Sequence, residues 1–240
     1  MEVEVRSAPL QEIQDLRDLF LRESHFQFVY DKCHGAGWAD TYVFSIGEET
    51  IGYGSLWGKD DRKDRDAIFE YYLLRSYRKF ANIIFPKFSL ASRALYVQCQ
   101  TNDSLLSDMM FAYTRNIRAE AILFEDGFQT ELAIPDTSFR KNVSDNDDGE
   151  YVLEHQGQIV ASGGYVRNYN FPYIDIYYQV KEDYRNKGFG SLITQELKRE
   201  AYRLKRVPAA RCNIQNNASN STLLKAGMKV CGHMLVGELL

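Results

Sequence analysis

The sequence is notable first for what it has little of. In 240 residues nothing approaches the ~18 uncharged apolar residues that a membrane-spanning helix needs. No block of five like charges occurs, and 29 Lys plus Arg against 33 Asp plus Glu leave a net charge of -4. That balance argues against a nucleic-acid or membrane-surface footprint, so neither partner is expected. The opening MEVEVRSAPL has acidic residues where a secretory leader needs a basic patch and an apolar run, and a cytoplasmic protein is expected. Cysteine is sparse, and Cys33, Cys99, Cys212 and Cys231 show no CxxC spacing. Neither a zinc cage nor a disulfide framework follows, and they read as reduced thiols. His25, His34, His155 and His233 have no partner spacing that suggests a metal or a triad, and no GxSxG stretch is present. Nucleophilic catalysis and a metal site are therefore not expected. What is present is ordinary for a folded protein, 45% hydrophobic and 26% charged residues, with a heavy aromatic load of 16 Tyr and 14 Phe.

Hydrophobic periodicity divides the chain into strands and helices. Glu2 to Val5 alternates like an edge strand; Ile13, Leu16, Leu19 and Phe20 after Pro9 have helical spacing, and His25 to Trp38 reads as a second, irregular helix. Strands are predicted at 41–46, 51–57 and 67–74, a helix at 77–88, a strand at 95–100, a helix at 102–113 and a hairpin around Asp126-Gly127. Residues 136–149, ending in the polar run NVSDNDDG, read as a linker. Beyond it come strands at 150–155, 159–165 and 173–180, a helix at 189–204, a strand at 210–214, a helix at 218–226 and a strand at 228–236. A Gln156-Gly157 turn joins the first two of these strands. Strands alternating with single crossover helices imply a mixed α/β sheet.

The two halves read either as an internal repeat or as two strand-helix units alike by chance. Phe69 to Leu73 followed by Ser76 to Ala81 falls on Ile176 to Val180 followed by Asp183 to Gly188 at a constant offset of 107, so that Tyr77-Arg78 coincides with Tyr184-Arg185. Domains at 1–135 and 150–240 are expected on either side of the linker.

One loop carries chemistry. Arg185-Asn186-Lys187-Gly188-Phe189-Gly190, running into Ser191, lies between a predicted strand and a predicted helix. Glycines let the backbone approach an anion, and the N–H groups and dipole at a helix N-terminus attract phosphate oxygens. Taken alone, the pattern is also that of a glycine-rich turn capping a helix. Its context includes Asn216-Asn217-Ala218-Ser219 and then Leu223-Leu224-Lys225-Ala226-Gly227-Met228. Together these segments closely resemble the GCN5-related N-acetyltransferase (GNAT) superfamily, sharply over 150–236 and faintly over 51–88.

The resemblance implies an α/β fold with a mixed, mostly antiparallel sheet flanked by helices, here as two GNAT-like halves. The first would be degenerate, because its loop position reads Arg78-Lys79-Phe80-Ala81-Asn82-Ile83 without a glycine. Residues 150–240 have no clear opening strand and helix of their own, so the first half is expected to be structurally required. By the same resemblance acetyl-CoA is the cosubstrate, with its pyrophosphate on Arg185 to Ser191. The backbone of Tyr178, Gln179 and Val180 would hold the pantetheine arm and polarise the thioester carbonyl, and Asn216 and Ser219 would contact the arm further on. The tyrosine that often serves the family as general acid, four residues before the glycine of the last motif, is replaced by Leu223.

Acetyl transfer to an amine needs a neutral amine, a polarised carbonyl and a proton for the departing thiolate. Strand alternation puts Asp175, Tyr177 and Gln179 on one face. Asp175 reads either as a base or as a solvated carboxylate at a strand start, and Tyr177 either as an acid or substrate-stacking ring or as sheet packing. The cluster Tyr165, Tyr169, Phe171, Pro172 and Tyr173 either borders an acceptor pocket or packs core and edge. Three functions compete: an N-acetyltransferase acting on a primary amine, presumed small; a catalytically silent acyl-CoA-binding module, suggested by Leu223; and a generic nucleotide-binding domain, which leaves Asn216 to Met228 unexplained.

Overall fold

The computed structural model describes residues 2–27, 30–143 and 149–240. The expected polar linker therefore falls partly outside the described residues, at 144–148, as do positions 28 and 29 of the expected irregular helix. The chain forms two compact units, one of Met1–Glu120 with His233–Leu240 and the other of Ala121–Gly232.

Unit 1 contains β1 (Glu4–Ser7), α1 (Leu10–Glu23), α2 (Tyr30–Gly35), β2 (Ala39–Ile46), β3 (Glu49–Trp57), β4 (Ala67–Leu73), α3 (Ala81–Ser92), β5 (Tyr96–Gln100), α4 (Ser104–Tyr113) and the start of β6 (Thr114–Asp126). Helix α1 forms where Ile13, Leu16, Arg17 and Phe20 recur at three and four residues and bury one face. Strands β1 to β4 are antiparallel neighbours, whereas β4 and β5 are parallel and paired only at Ala67–Tyr96 and Ile68–Val97. On its other side β5 pairs antiparallel with Met234–Glu238 from the far end of the chain. Every residue of β4 is buried, and Ile68 and Tyr71 pack in one cluster with Phe85, Phe88, Met109 and Met110 from α3 and α4.

A charged side chain sits inside this core. Glu70 of β4 is fully buried and meets Arg17 of α1 at 3.1 Å, His34 of α2 at 2.9 Å and Ser55 of β3 at 3.2 Å. Burial alone would raise the Glu70 carboxyl, but the Arg17 and His34 charges outweigh it and hold it at about 2.

Unit 2 contains the end of β6, then β7 (Thr137–Lys141), β8 (Tyr151–His155), β9 (Gln158–Val166), β10 (Tyr173–Val180), α5 (Phe189–Arg203), β11 (Val207–Asn213), α6 (Asn217–Lys225) and the start of β12 (Met228–Leu239). Strands β7 to β10 are antiparallel neighbours, β10 and β11 are parallel, and Ala121–Glu125 of β6 closes the far side of β11 antiparallel. The Gln156-Gly157 turn has positive φ at both residues, 49° and 77°, as a two-residue hairpin matched to strand twist requires. Leu153, Val160, Ile174 and Ile176 bury one sheet face against Leu192, Ile193 and Leu197 of α5. Lys198 of α5 is itself buried, with Nζ donating to the carbonyls of Phe128 at 2.7 Å, Ala226 at 3.1 Å and Gly227 at 3.0 Å, and lying 2.9 Å from the Asp126 carboxylate.

The mixed α/β class with mostly antiparallel strands flanked by helices is the one expected. Several boundaries are not. The unit boundaries fall at 120/121 and 232/233, not at 136–149, because Thr137–Lys141 is a strand paired with β8 rather than linker. No hairpin forms at Asp126-Gly127: β6 ends there, and the N–H groups of Gly127 and Phe128 both donate to the Gly227 carbonyl. Helix α3 starts at Ala81 because Arg75–Phe80 is a 3-10 turn, and β11 starts at Val207, three residues before the expected Ala210.

Candidate active site

The site is built where β10 and β11 part. They are paired only at Tyr173–Val207, Ile174–Pro208 and Asp175–Ala209. After Asp175, β10 keeps β9 as a partner through Val180, while β11 continues against β6. Beyond Asp175, the edge of β10 that faces β11 therefore has no strand partner among the described residues. A cavity of about 270 Å³ occupies the opening, lined by Asp175, Ile176, Tyr177, Tyr178, Ala210, Arg211, Ser219 and Leu223.

Alternation sorts these residues to two sides. Ile174 and Ile176 face α5, and Ala210 and Cys212 pack with Leu223 and Met228. Asp175, Tyr177 and Arg211 consequently lie on the opposite face. Asp175 is 7% exposed, and burial raises its carboxyl to about 7, with the Arg211 charge pulling the other way. Arg211 Nε lies 3.9 Å from Asp175 Oδ2, at the outer limit of an ion pair. The Tyr169 hydroxyl is buried nearby with no hydrogen-bond partner among the described residues, and its burial, followed by the Asp175 charge, raises its pKa. On the helical side the Tyr178 hydroxyl is 3.2 Å from Ser219 Oγ, which ties β10 to the first turn of α6. Asn216 caps α6, its Oδ1 accepting from the Ser219 N–H at 3.0 Å.

The glycine loop follows β10. After a 3-10 turn at Glu182–Tyr184, Asn186 and Gly188 take positive φ, 61° and 88°, and α5 begins at Phe189. Gly188 caps α5 without a side-chain acceptor, so the first N–H groups of the helix stay open to an anion. A side chain at Gly190 would meet Thr222 Cγ2 at 3.1 Å and Tyr178 Cε2 at 3.4 Å, so glycine is what allows α5, α6 and β10 to close together here. Lys187 Nζ donates to the Asp183 carbonyl at 2.9 Å, and Arg185 Nε contacts the Val180 carbonyl at 3.4 Å; both cations stay exposed at the loop.

Of the residues singled out from sequence, Asp175, Tyr177, Tyr178 and Ser219 share the cavity, Gln179 and Val180 continue β10 from it, and Arg185 to Ser191 form the loop and first turn of α5. Asn216 is set back as a helix cap. Of the aromatic cluster, Tyr165 and Tyr169 are buried while Phe171 is exposed. Sequence reasoning missed Arg211, whose signal was its alternation with Ala210 and Cys212 one strand away from Asp175. Among the described residues no group of His, Cys, Asp and Glu is placed to hold a metal ion.

Residues 114–228, a little under half of the chain, match the Acetyltransferase (GNAT) family. Over 100% of both chains it resembles an acetyltransferase of the GNAT family from Colwellia psychrerythraea, at a TM-score of 0.75 and 12% identity. A tandem GNAT protein from the clavulanic acid biosynthesis pathway, solved without acetyl-CoA, aligns over 99% of this chain and 98% of its own, at a TM-score of 0.60 and 10% identity. A GCN5-related N-acetyltransferase from Sphaerobacter thermophilus aligns over 82% of this chain and 80% of its own, at 0.55 and 11%. These likenesses show the fold. No curated protein matches the sequence.

Proposed function

We propose that the protein transfers an acetyl group from acetyl-CoA directly to a primary amine of a small molecule, without a covalent enzyme intermediate. The observation that carries this reading is the buried carboxyl of Asp175, raised to about 7, at the apex of the opening between β10 and β11. A base with that pKa is half ionised near neutrality and can take a proton from an amine whose ordinary pKa is ~10.

The chain's own groups supply the remaining steps. The open N–H groups at the start of α5, with Arg185 and Lys187, suit the cosubstrate's pyrophosphate. The edge of β10 from which β11 parts offers backbone groups to the pantetheine arm and to the thioester carbonyl, where charge develops during attack. Leu223 is apolar, so it donates no proton to the leaving thiolate; the Tyr178 hydroxyl, held by Ser219 in the same cavity, is placed to do so. Tyr177, on the Asp175 face, borders the acceptor. Among the described residues no helix is long and apolar enough to cross a membrane. Buried thiols at Cys33, Cys99 and Cys212 suit a reducing cytoplasm, and nothing in the charge pattern calls for a nucleic-acid or membrane partner.

Thermal shift with acetyl-CoA and thiol release with a panel of amines test the reading. Ligand at ~100 times its dissociation constant stabilises a fold by ~2.7 kcal/mol, and Gly188→Asp, which places a carboxylate among the anion-binding N–H groups, abolishes that shift. An equal shift in both proteins overturns the loop assignment. A wild-type shift without thiol release on any amine favours the silent acyl-CoA-binding module instead, the reading that Leu223 supports.

A further inference from the structure

Among the described residues Arg211 is the one cation lining the cavity, and its role is not accounted for by the transfer chemistry. It stands two residues beyond Ala209, the register partner of Asp175, so its side chain emerges on the same sheet face as Asp175 and Tyr177. Among the described residues its one charged partner is Asp175, at 3.9 Å, a distance beyond hydrogen bonding. A guanidinium carries five donors in a planar fork suited to a carboxylate, and here that fork is 41% exposed beside the base.

This arrangement discriminates between amines. A simple alkylammonium that approaches Asp175 also brings its positive charge next to Arg211, and one carboxylate then faces two cations. A molecule that carries an ammonium and a carboxylate side by side meets both groups with the complementary sign. The cavity is small, about 270 Å³, and beside Asp175 and Arg211 its walls combine apolar Ile176, Ala210 and Leu223 with the uncharged hydroxyl side chains of Tyr177, Tyr178 and Ser219. Resting on the acetyl-transfer reading above, we infer that the acceptor is a free amino acid, its carboxylate held by Arg211 while its amine faces Asp175. The amine nitrogen forms the new bond to the thioester carbonyl carbon, and the carbon–sulfur bond breaks. The ammonium first gives one proton to Asp175 and attacks as the neutral amine; the second proton lost by the nitrogen as the amide forms goes to the thiolate, which leaves as the free thiol. The product is an N-acetylamino acid. A lysine side chain within a protein brings no adjacent carboxylate and does not fit this pairing.

The experiment measures thiol release from acetyl-CoA for amino acids, each beside its amide and its decarboxylated amine. Amino acids are expected to have KM values at least about tenfold below those of both analogues, the scale expected for losing a charge-assisted pair. In Arg211→Gln that preference collapses toward one through a rise in KM for the amino acid, and Arg211→Lys restores part of it. Amines without a carboxylate performing as well as amino acids overturns the inference. So does an Arg211→Gln protein that slows amino acids and amides by the same factor, because Arg211 then acts only on Asp175. Calorimetry with the same amino acids in the presence of CoA separates the two readings. Binding that depends on Arg211 without thiol release keeps the ligand assignment and overturns transfer; turnover of amines with no preference for a carboxylate does the reverse.

Discussion

The hydroxyl of Tyr178 on β10 reaches 3.2 Å from that of Ser219 on α6, bridging the opening that β10 and β11 leave between them. Tyr178→Phe removes one hydroxyl and leaves the ring packed. If that hydroxyl protonates the thiolate, kcat falls by roughly 100-fold, the usual scale for one general acid, while the thermal shift with acetyl-CoA persists. An unchanged kcat assigns the proton to water.

Asp175 couples rate to pH. A base must be ionised to work, so the rate rises with pH through about 7 and then levels off; burial sets that position, with Arg211 opposing it and the Tyr169 hydroxyl alongside. Asp175→Asn loses roughly 100-fold or more and no longer levels off, because more amine arrives neutral as pH rises. Stability responds with the opposite sign. The folded carboxyl is raised from 3.8, so its contribution is full at low pH and is lost as pH rises through about 7. At pH 8, therefore, Asp175→Asn melts at a higher temperature than the wild type.

Unit 1 is expected to bind no CoA. Phe80 caps α3 with φ −102° where Gly188 caps α5 with φ 88°, and Arg78 is turned aside to Glu23 at 2.6 Å. Titration calorimetry should give one site per chain, and a stoichiometry of two removes the degenerate-repeat interpretation.

Glu70 makes unit 1 sensitive to acid. Its carboxyl is lowered from 4.5 to about 2, so its contribution is complete above 4.5 and is lost as pH falls toward 2. Glu70→Gln leaves Arg17 buried with a weaker partner and costs roughly 3–5 kcal/mol in urea unfolding at neutral pH, most of which disappears at pH 2. Equal losses at both pH values exclude this linkage.

The elements that sequence revealed best are those with one buried face and a clear stop. Strand β10 and helix α5 were legible because Ile174 and Ile176 alternate, Leu192, Ile193 and Leu197 recur at helical spacing, and glycines separate the two patterns. The 13 residues of β6 were not, since its opening Thr114-Arg115-Asn116 looks like polar connection. Strand β7 was hidden in the same way: as an outer strand it keeps Arg140 and Lys141 in a polar run. Pro208, which has no N–H to donate, masked the start of β11. The burial of the charged Arg17, Glu70 and Lys198 was not legible, because their partners come from distant segments. Asp175 was identifiable by its face, but its burial was not, since that depends on what β11 and the 167–172 loop bring over it.

Unit 1 is completed by Met234–Glu238, which pair with β5 from the opposite end of the chain. During synthesis on a ribosome, β5 is finished long before those residues emerge. Its outer hydrogen bonds must wait until residues 234–238 have been translated. A stop before residue 234 would leave the first-made part of the molecule with an open sheet edge, the kind of surface that recruits chaperones or aggregates.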